Sequence, residues 1–130
     1  VVAWIHLGGN MCTWDWEDTG SGQKPEARPE NYRVICNNPE FLSLTEKAFA
    51  DIRGLRPVVE ETRGEMRLVA RQGYPGFGVW GGNYRYFHTP ADTPENATSP
   101  ELLEPMALAL TRALELIEDQ LRSRRMTSVV

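Results

Sequence analysis

Gly73-Tyr74-Pro75-Gly76-Phe77-Gly78-Val79-Trp80-Gly81-Gly82 is the stretch on which the fold turns. Phe77 through Trp80 is a short apolar run bounded by glycine and proline, which reads as a buried strand closed by a turn. Outward from it, residues 1–7 form a second compact apolar run that ends at Gly8-Gly9, and Tyr32 to Cys36 form a third. Pro57-Val58-Val59 is a weaker strand candidate. Helical patterns separate and follow these runs. Asn38-Pro39-Glu40 supplies an N-cap, a proline for the first helical position and an early acid. Phe41, Leu44, Ala48, Phe49 and Ile52 then share one face, and Gly54 marks the stop. A short helix is expected from Glu61 to Gln72, with Met66, Val69 and Ala70 inward and Gly73 as its end. The last helix opens near Thr98 and Ser99, with Thr98 and Glu101 at capping-box spacing. Its apolar stripe reads Leu103, Met106, Leu110, Ala113, Leu114, Ile117 and Leu121.

Strands alternating with helices imply βαβ units, so the expected fold class is α/β with a mixed, mainly parallel sheet. Residues 1–7, 33–36 and 77–80 should be neighbouring strands, with helices near 39–53 and 99–121 packed on them. Residues 13–30 carry Gly20, Ser21, Gly22, Pro25 and Pro29 among charged residues and read as one long loop. Loops of that length within a compact domain are uncommon and often functional.

Length and charge narrow the function classes. At 130 residues the chain accommodates one domain with a core of its own. Fourteen basic residues against eighteen acidic ones leave a net charge of −4, which argues against a nucleic-acid surface. Arg63, Arg67 and Arg71, and the group Arg122, Arg124 and Arg125, read as solvated helix faces. No run approaches the roughly 20 apolar residues that span a bilayer. The opening Val1-Val2-Ala3-Trp4-Ile5 lacks a starting methionine and a basic leader, so the chain reads as part of something longer. Cys12 and Cys36 carry no metal-ligand spacing, and their pairing is left open.

Beyond the decisive strand the sequence continues Asn83-Tyr84-Arg85-Tyr86-Phe87-His88-Thr89-Pro90-Ala91-Asp92-Thr93. This sets a histidine and an aspartate past the carboxyl end of a strand, where ligands bind in open α/β sheets. A neutral imidazole is a good zinc ligand, and a carboxylate four residues on can hold its other nitrogen or order the loop. An ordinary loop histidine followed by a turn aspartate satisfies the same spacing.

The run Tyr86-Phe87-His88-Thr89-Pro90-Ala91-Asp92-Thr93 resembles the histidine-threonine-x-x-aspartate-threonine segment of the zinc-dependent exopeptidases, the group of bacterial leucyl aminopeptidases and glutamate carboxypeptidases. Gly64-Glu65 through Gly73-Tyr74-Pro75 is similar to their helix-then-turn stretch, and residues 99–121 to their long final helix. The resemblance covers about residues 60–121, with residues 1–10 matching loosely. It implies the C-terminal portion of a three-layer α/β/α domain. It further implies a zinc-dependent metallopeptidase, in which metal-bound water attacks the carbonyl of a terminal peptide bond. On this resemblance His88 is a metal ligand, Asp92 supports its loop, and Asn83, Tyr84 and Tyr86 border the substrate.

The family's other ligands have no counterpart, which implies an incomplete catalytic domain, since a zinc site takes about three protein ligands. An ungapped match at the first strand puts Ile5 in a ligand place and turns His6 to the other face. A shift of one residue would bring His6 into the metal pocket instead. Partners expected from the resemblance are a peptide substrate or the missing N-terminal part of the domain, with a homo-oligomer left open. The competing reading is a non-catalytic interaction domain on the same fold that has lost its metal site. Trp14, Trp16 and Trp80 line a pocket or close a core, and Glu60, Glu61 and Glu65 suit either acid-base work or a charged helix start.

Overall fold

The computed structural model describes residues 3–8, 11–18, 23–29, 33–53, 55–81 and 86–127. Ten elements follow in order: β1 (Trp4–Leu7), β2 (Trp14–Asp18), β3 (Gln23–Pro29), β4 (Arg33–Cys36), α1 (Glu40–Ala48), β5 (Arg56–Val59), α2 (Met66–Arg71), β6 (Gly76–Trp80), α3 (Pro94–Ala97) and α4 (Pro100–Thr127). Four strands make one mixed sheet in the order β1-β6-β4-β5. β1 runs parallel to β6 and β4 parallel to β5, while β6 and β4 are antiparallel. The three apolar runs read from the sequence are therefore neighbours, with the glycine-flanked strand in the middle.

Alternation along β6 divides the sheet into two faces. Phe77 and Val79 point to one of them, beside Val34 and Cys36 of β4, and both are fully buried. Phe41, Leu44, Ala48 and Phe49, from α1 and the residue after it, pack onto this face together with Met106, Ala109 and Ala113 of α4. Phe77 is the centre of that core, with the rings of Phe41 and Phe49 each 6.1 Å from its own. On the opposite face Gly76 and Gly78 sit beside Ile35, which is also buried. Met66 of α2 approaches Gly76, and the Trp80 indole lies across Gly78.

Asn37, just past β4, fastens the start of β6. Its side-chain oxygen accepts from Gly76 N–H at 2.7 Å, its amide donates to the Tyr74 carbonyl, and its backbone N–H donates to Gly76 at 3.1 Å. α1 begins at Glu40 with Pro39 at its N-cap, one residue later than expected, and the Asn38 Oδ1 accepts from Phe41 N–H at 3.4 Å ahead of it.

Several expectations need correction. The stretch 13–30 is not one loop, because β2 and β3 pair antiparallel on either side of residues 19–22. Trp14 to Asp18 alternates apolar and polar residues, a strand pattern, and a two-stranded ribbon leaves room for the prolines of β3 that a central strand would not. α2 is shorter than Glu61 to Gln72, because Gly64 has a φ of +51°, outside the helical range. α1 ends at Ala48, and the chain reaches Leu55 through tight turns in which Ile52 N–H donates to Phe49 and Leu55 N–H to Ile52. The expected stop at Gly54 falls outside the described residues.

α4 buries Met106, Ala109 and Ala113, while Leu103 and Leu114 remain 42% and 52% exposed. The apolar arc of this helix is wider than its contact with the sheet, and small alanines let it approach closely along one edge of that arc. Cys12 and Cys36 are both free and buried, so the open question of their pairing closes on two thiols. Burial pushes the Cys12 thiol up to about 11.

Candidate functional site

Because β1 and β6 are parallel, their carboxyl ends lie at the same end of the sheet, where ligands gather in open α/β folds. Gly8 leaves β1 while its N–H still donates to Val79 at 2.9 Å, so the two strands stay joined to their tips. Residues 86–98, which follow β6 in the chain, are a chain of tight turns leading into α3 and α4. Thr89 donates to the Tyr86 carbonyl through both its N–H (2.9 Å) and its hydroxyl (2.7 Å). Asp92 N–H donates to Thr89 at 3.0 Å, and the Asn96 side chain donates to the Ala91 carbonyl at 2.9 Å.

His88 occupies the third position of the turn from Tyr86 to Thr89, with a φ of +61°. Within the described residues it is the non-glycine residue with positive φ. Glycine or asparagine ordinarily fills such a position, because a Cβ crowds the backbone there. Its ring is exposed and lies on Phe87, with ring centroids 4.0 Å apart. Retaining histidine in a conformation that disfavours it is a departure that clusters at functional sites. His88→Gly is expected to be about 1 kcal/mol more stable than His88→Ala, since only glycine relieves the strain. Urea unfolding of the two variants measures the difference, and equal stabilities would mean that the turn is not held in the left-handed region.

The other sequence-derived site residues fall in different places. Tyr86 is half-buried and Asp92 is exposed. Asn83 and Tyr84 lie outside the described residues, as do the side chains of Trp14 and Trp16. Ile5 packs into the core, whereas His6 sits on the opposite sheet face, so the two alternate as the ungapped match implies. The His6 ring stacks on Trp80 at 5.0 Å, and its Nε2 is 3.7 Å from a Glu65 carboxylate oxygen. Trp80 thus closes the sheet face over Gly78. Glu61 pairs with Arg71 at 3.2 Å and with Arg67 at 3.9 Å, consistent with a charged helix start.

Asp92 instead belongs to a cleft that the sequence did not disclose. Its walls are Met11, Cys12 and Thr13, shortly after β1, and Asp92, Thr93, Pro94, Ala97, Thr98 and Leu103. The turns after His88 therefore do fold back to the segment that leaves β1. Met11 to Thr13 were missed because they stand next to the presumed loop, where two apolar residues carry no periodicity to read.

Among the described residues no group of three or more histidine, cysteine, aspartate or glutamate side chains is arranged to hold a metal ion. A zinc site takes about three such ligands. No helix among the described residues is long and apolar enough to cross a membrane. Fold and geometry define a small mixed α/β sheet with helices and a cleft at the carboxyl ends of two parallel strands. Compared with known proteins, the chain matches no family model, no curated protein and no solved structure.

Proposed function

We propose that this chain is part of a metal-dependent exopeptidase domain, an aminopeptidase-like hydrolase of three-layer α/β/α architecture. In this reading His88 is the ligand that the segment contributes, and the remaining ligands come from another polypeptide segment. The observation that carries it is the strained His88 turn, following the strand whose carboxyl end lies beside that of its parallel neighbour. The resemblance of residues 86–93 to the exopeptidase histidine segment supports it from the sequence. Asp92 orders the turn through its backbone bond to Thr89.

A second reading, a non-catalytic interaction domain, draws support from the lack of a three-donor group among the described residues. Zinc titration followed by histidine side-chain NMR, alongside release of nitroaniline from an aminoacyl nitroanilide, separates the readings. The exopeptidase reading expects weak zinc binding that perturbs His88 and disappears in His88→Ala, with no hydrolysis by this chain alone. Zinc that leaves the His88 resonances unmoved would remove its metal role and favour the interaction domain. Zinc-dependent hydrolysis by the chain alone, abolished in His88→Ala, would show that the segment holds a complete site.

A further inference from the structure

α4 carries two apolar seams side by side, and the sheet uses one of them. Leu102, Met106, Ala109, Ala113 and Leu116 make the first, the middle three buried in the core and the outer two partly buried against it. Leu103, Ala107, Leu110, Leu114, Ile117 and Leu121 make the second, one position further round the helix. Leu103 and Leu114 are 42% and 52% exposed, Ala107 is exposed, and the other three are half-buried. Both seams advance by four and three residues in turn, the heptad spacing that keeps a stripe facing one neighbour along a helix. Packing on the sheet needs one such stripe, and the second is spaced for another helix.

We propose that a second copy of this chain covers the second seam, the two α4 helices packing antiparallel about a two-fold axis level with Arg112. That placement sets Leu103 against Leu121 of the second copy, Ala107 against Ile117 and Leu110 against Leu114. Every seam residue then meets an apolar partner, and the smallest meets a branched one. A two-fold contact has to be self-complementary in this way. Charge fixes the direction. Glu104 and Arg122 follow Leu103 and Leu121 by one position each, so both flank the seam on the same side. Antiparallel packing brings Glu104 of one copy to Arg122 of the other at each end of the contact, whereas parallel packing would bring like charges together. Arg122 holds Glu118 of its own helix at 3.3 Å, and a guanidinium has donors for a second carboxylate. Opposed helix dipoles favour the same direction. From Leu103 to Leu121 the seam runs about 27 Å at the usual helical rise. Such a contact is small and belongs to the reversible class of association. Neither His88 nor a metal takes part, so this proposal and the exopeptidase reading stand or fall separately.

Sedimentation equilibrium over a range of protein concentrations tests it. The mass should climb from one copy to two, with a dissociation constant on the order of 10–100 μM. Leu114→Glu should weaken association by about ten-fold or more, because the two-fold places the new charge in two apolar contacts at once. Leu114 is exposed in the single copy, so the urea midpoint of this variant in dilute solution should match that of the unaltered protein. Leu108→Glu, at an exposed leucine off the seam, is the control and should leave association unchanged. Glu104→Lys and Arg122→Glu should each associate about five-fold more weakly alone, the size of exposed charge contacts. An equimolar mixture of these two variants should recover most of the affinity, since opposite charges then meet at both ends. A mass that stays at one copy up to about 1 mM, where even weak contacts fill, would overturn the proposal. Equal losses in Leu114→Glu and Leu108→Glu, or no gain on mixing the charge variants, would overturn it as well.

Discussion

Gly76→Ala is expected to destabilise the protein by about 3 kcal/mol, the upper part of the usual range for overpacking. A Cβ on Gly76 would lie 2.1 Å from the Trp4 carbonyl oxygen and 2.7 Å from the Met66 methyl. The methyl can rotate away. The carbonyl belongs to the backbone of β1, whose Trp4 N–H donates to Pro75 at 2.9 Å, so withdrawing it means parting β1 from β6. Gly78 offers a control. Its Cβ would meet the Trp80 ring at 2.2 Å, and a side chain can move where a strand cannot. Gly78→Ala should therefore be the milder substitution, and urea unfolding of both variants gives the comparison. Equal losses would mean that β1 yields as easily as an indole.

Phe77→Ala should cost about 4 kcal/mol, within the range for emptying a buried phenylalanine site. Phe77 is fully buried, and both aromatic rings contributed by α1 and its following residue lean on it. Removing the ring leaves Phe41 and Phe49 facing a void that α1 cannot close without leaving the sheet. Phe77→Leu retains much of the volume and should cost less than about 1.5 kcal/mol. Since single domains hold roughly 5–15 kcal/mol of stability, the alanine variant should unfold at a much lower urea concentration. A loss below about 1.5 kcal/mol, beneath the range for such substitutions, would show that Phe77 is not central to the core.

These two neighbours also show what the sequence could convey. The run from Gly76 to Trp80 was readable as a buried strand because its apolar residues are local and its boundaries are glycine and proline. The three neighbouring strands and the inner face of α1 were legible for the same reason. What could not be read depends on distant partners. The glycines of β6 look like turn residues until Met66 and the Trp80 ring are seen over them. The apolar arc of α4 does not say which of its edges meets the sheet, and Ala109 went unnoticed because alanine gives little hydrophobic signal.

The candidate site divides in the same way. His88 and Asp92 stood out through residue type and position past a strand. The sequence held no sign that His88 adopts a left-handed conformation, nor that Asp92 faces Met11 to Thr13. Such placements follow from turn geometry and from contacts across about 80 residues of chain. Asn37 was likewise invisible as the clamp on Tyr74 and Gly76, since its partners lie 37 and 39 residues further along the chain.

The central position of β6 bears on how the protein is made. β1 and β4 are each paired with β6, and β6 is the last of the four sheet strands to be synthesised. Among the described strands, β1 has no neighbour in the sheet until β6 leaves the ribosome. At roughly 5–20 residues per second, the interval between the emergence of Trp4 and that of Gly76 lasts on the order of 4–14 s. During that time the β4 and β5 pair can form while β1 waits as an unpaired apolar segment. The sheet thus closes late and in one step, around a strand inserted between two that were already there.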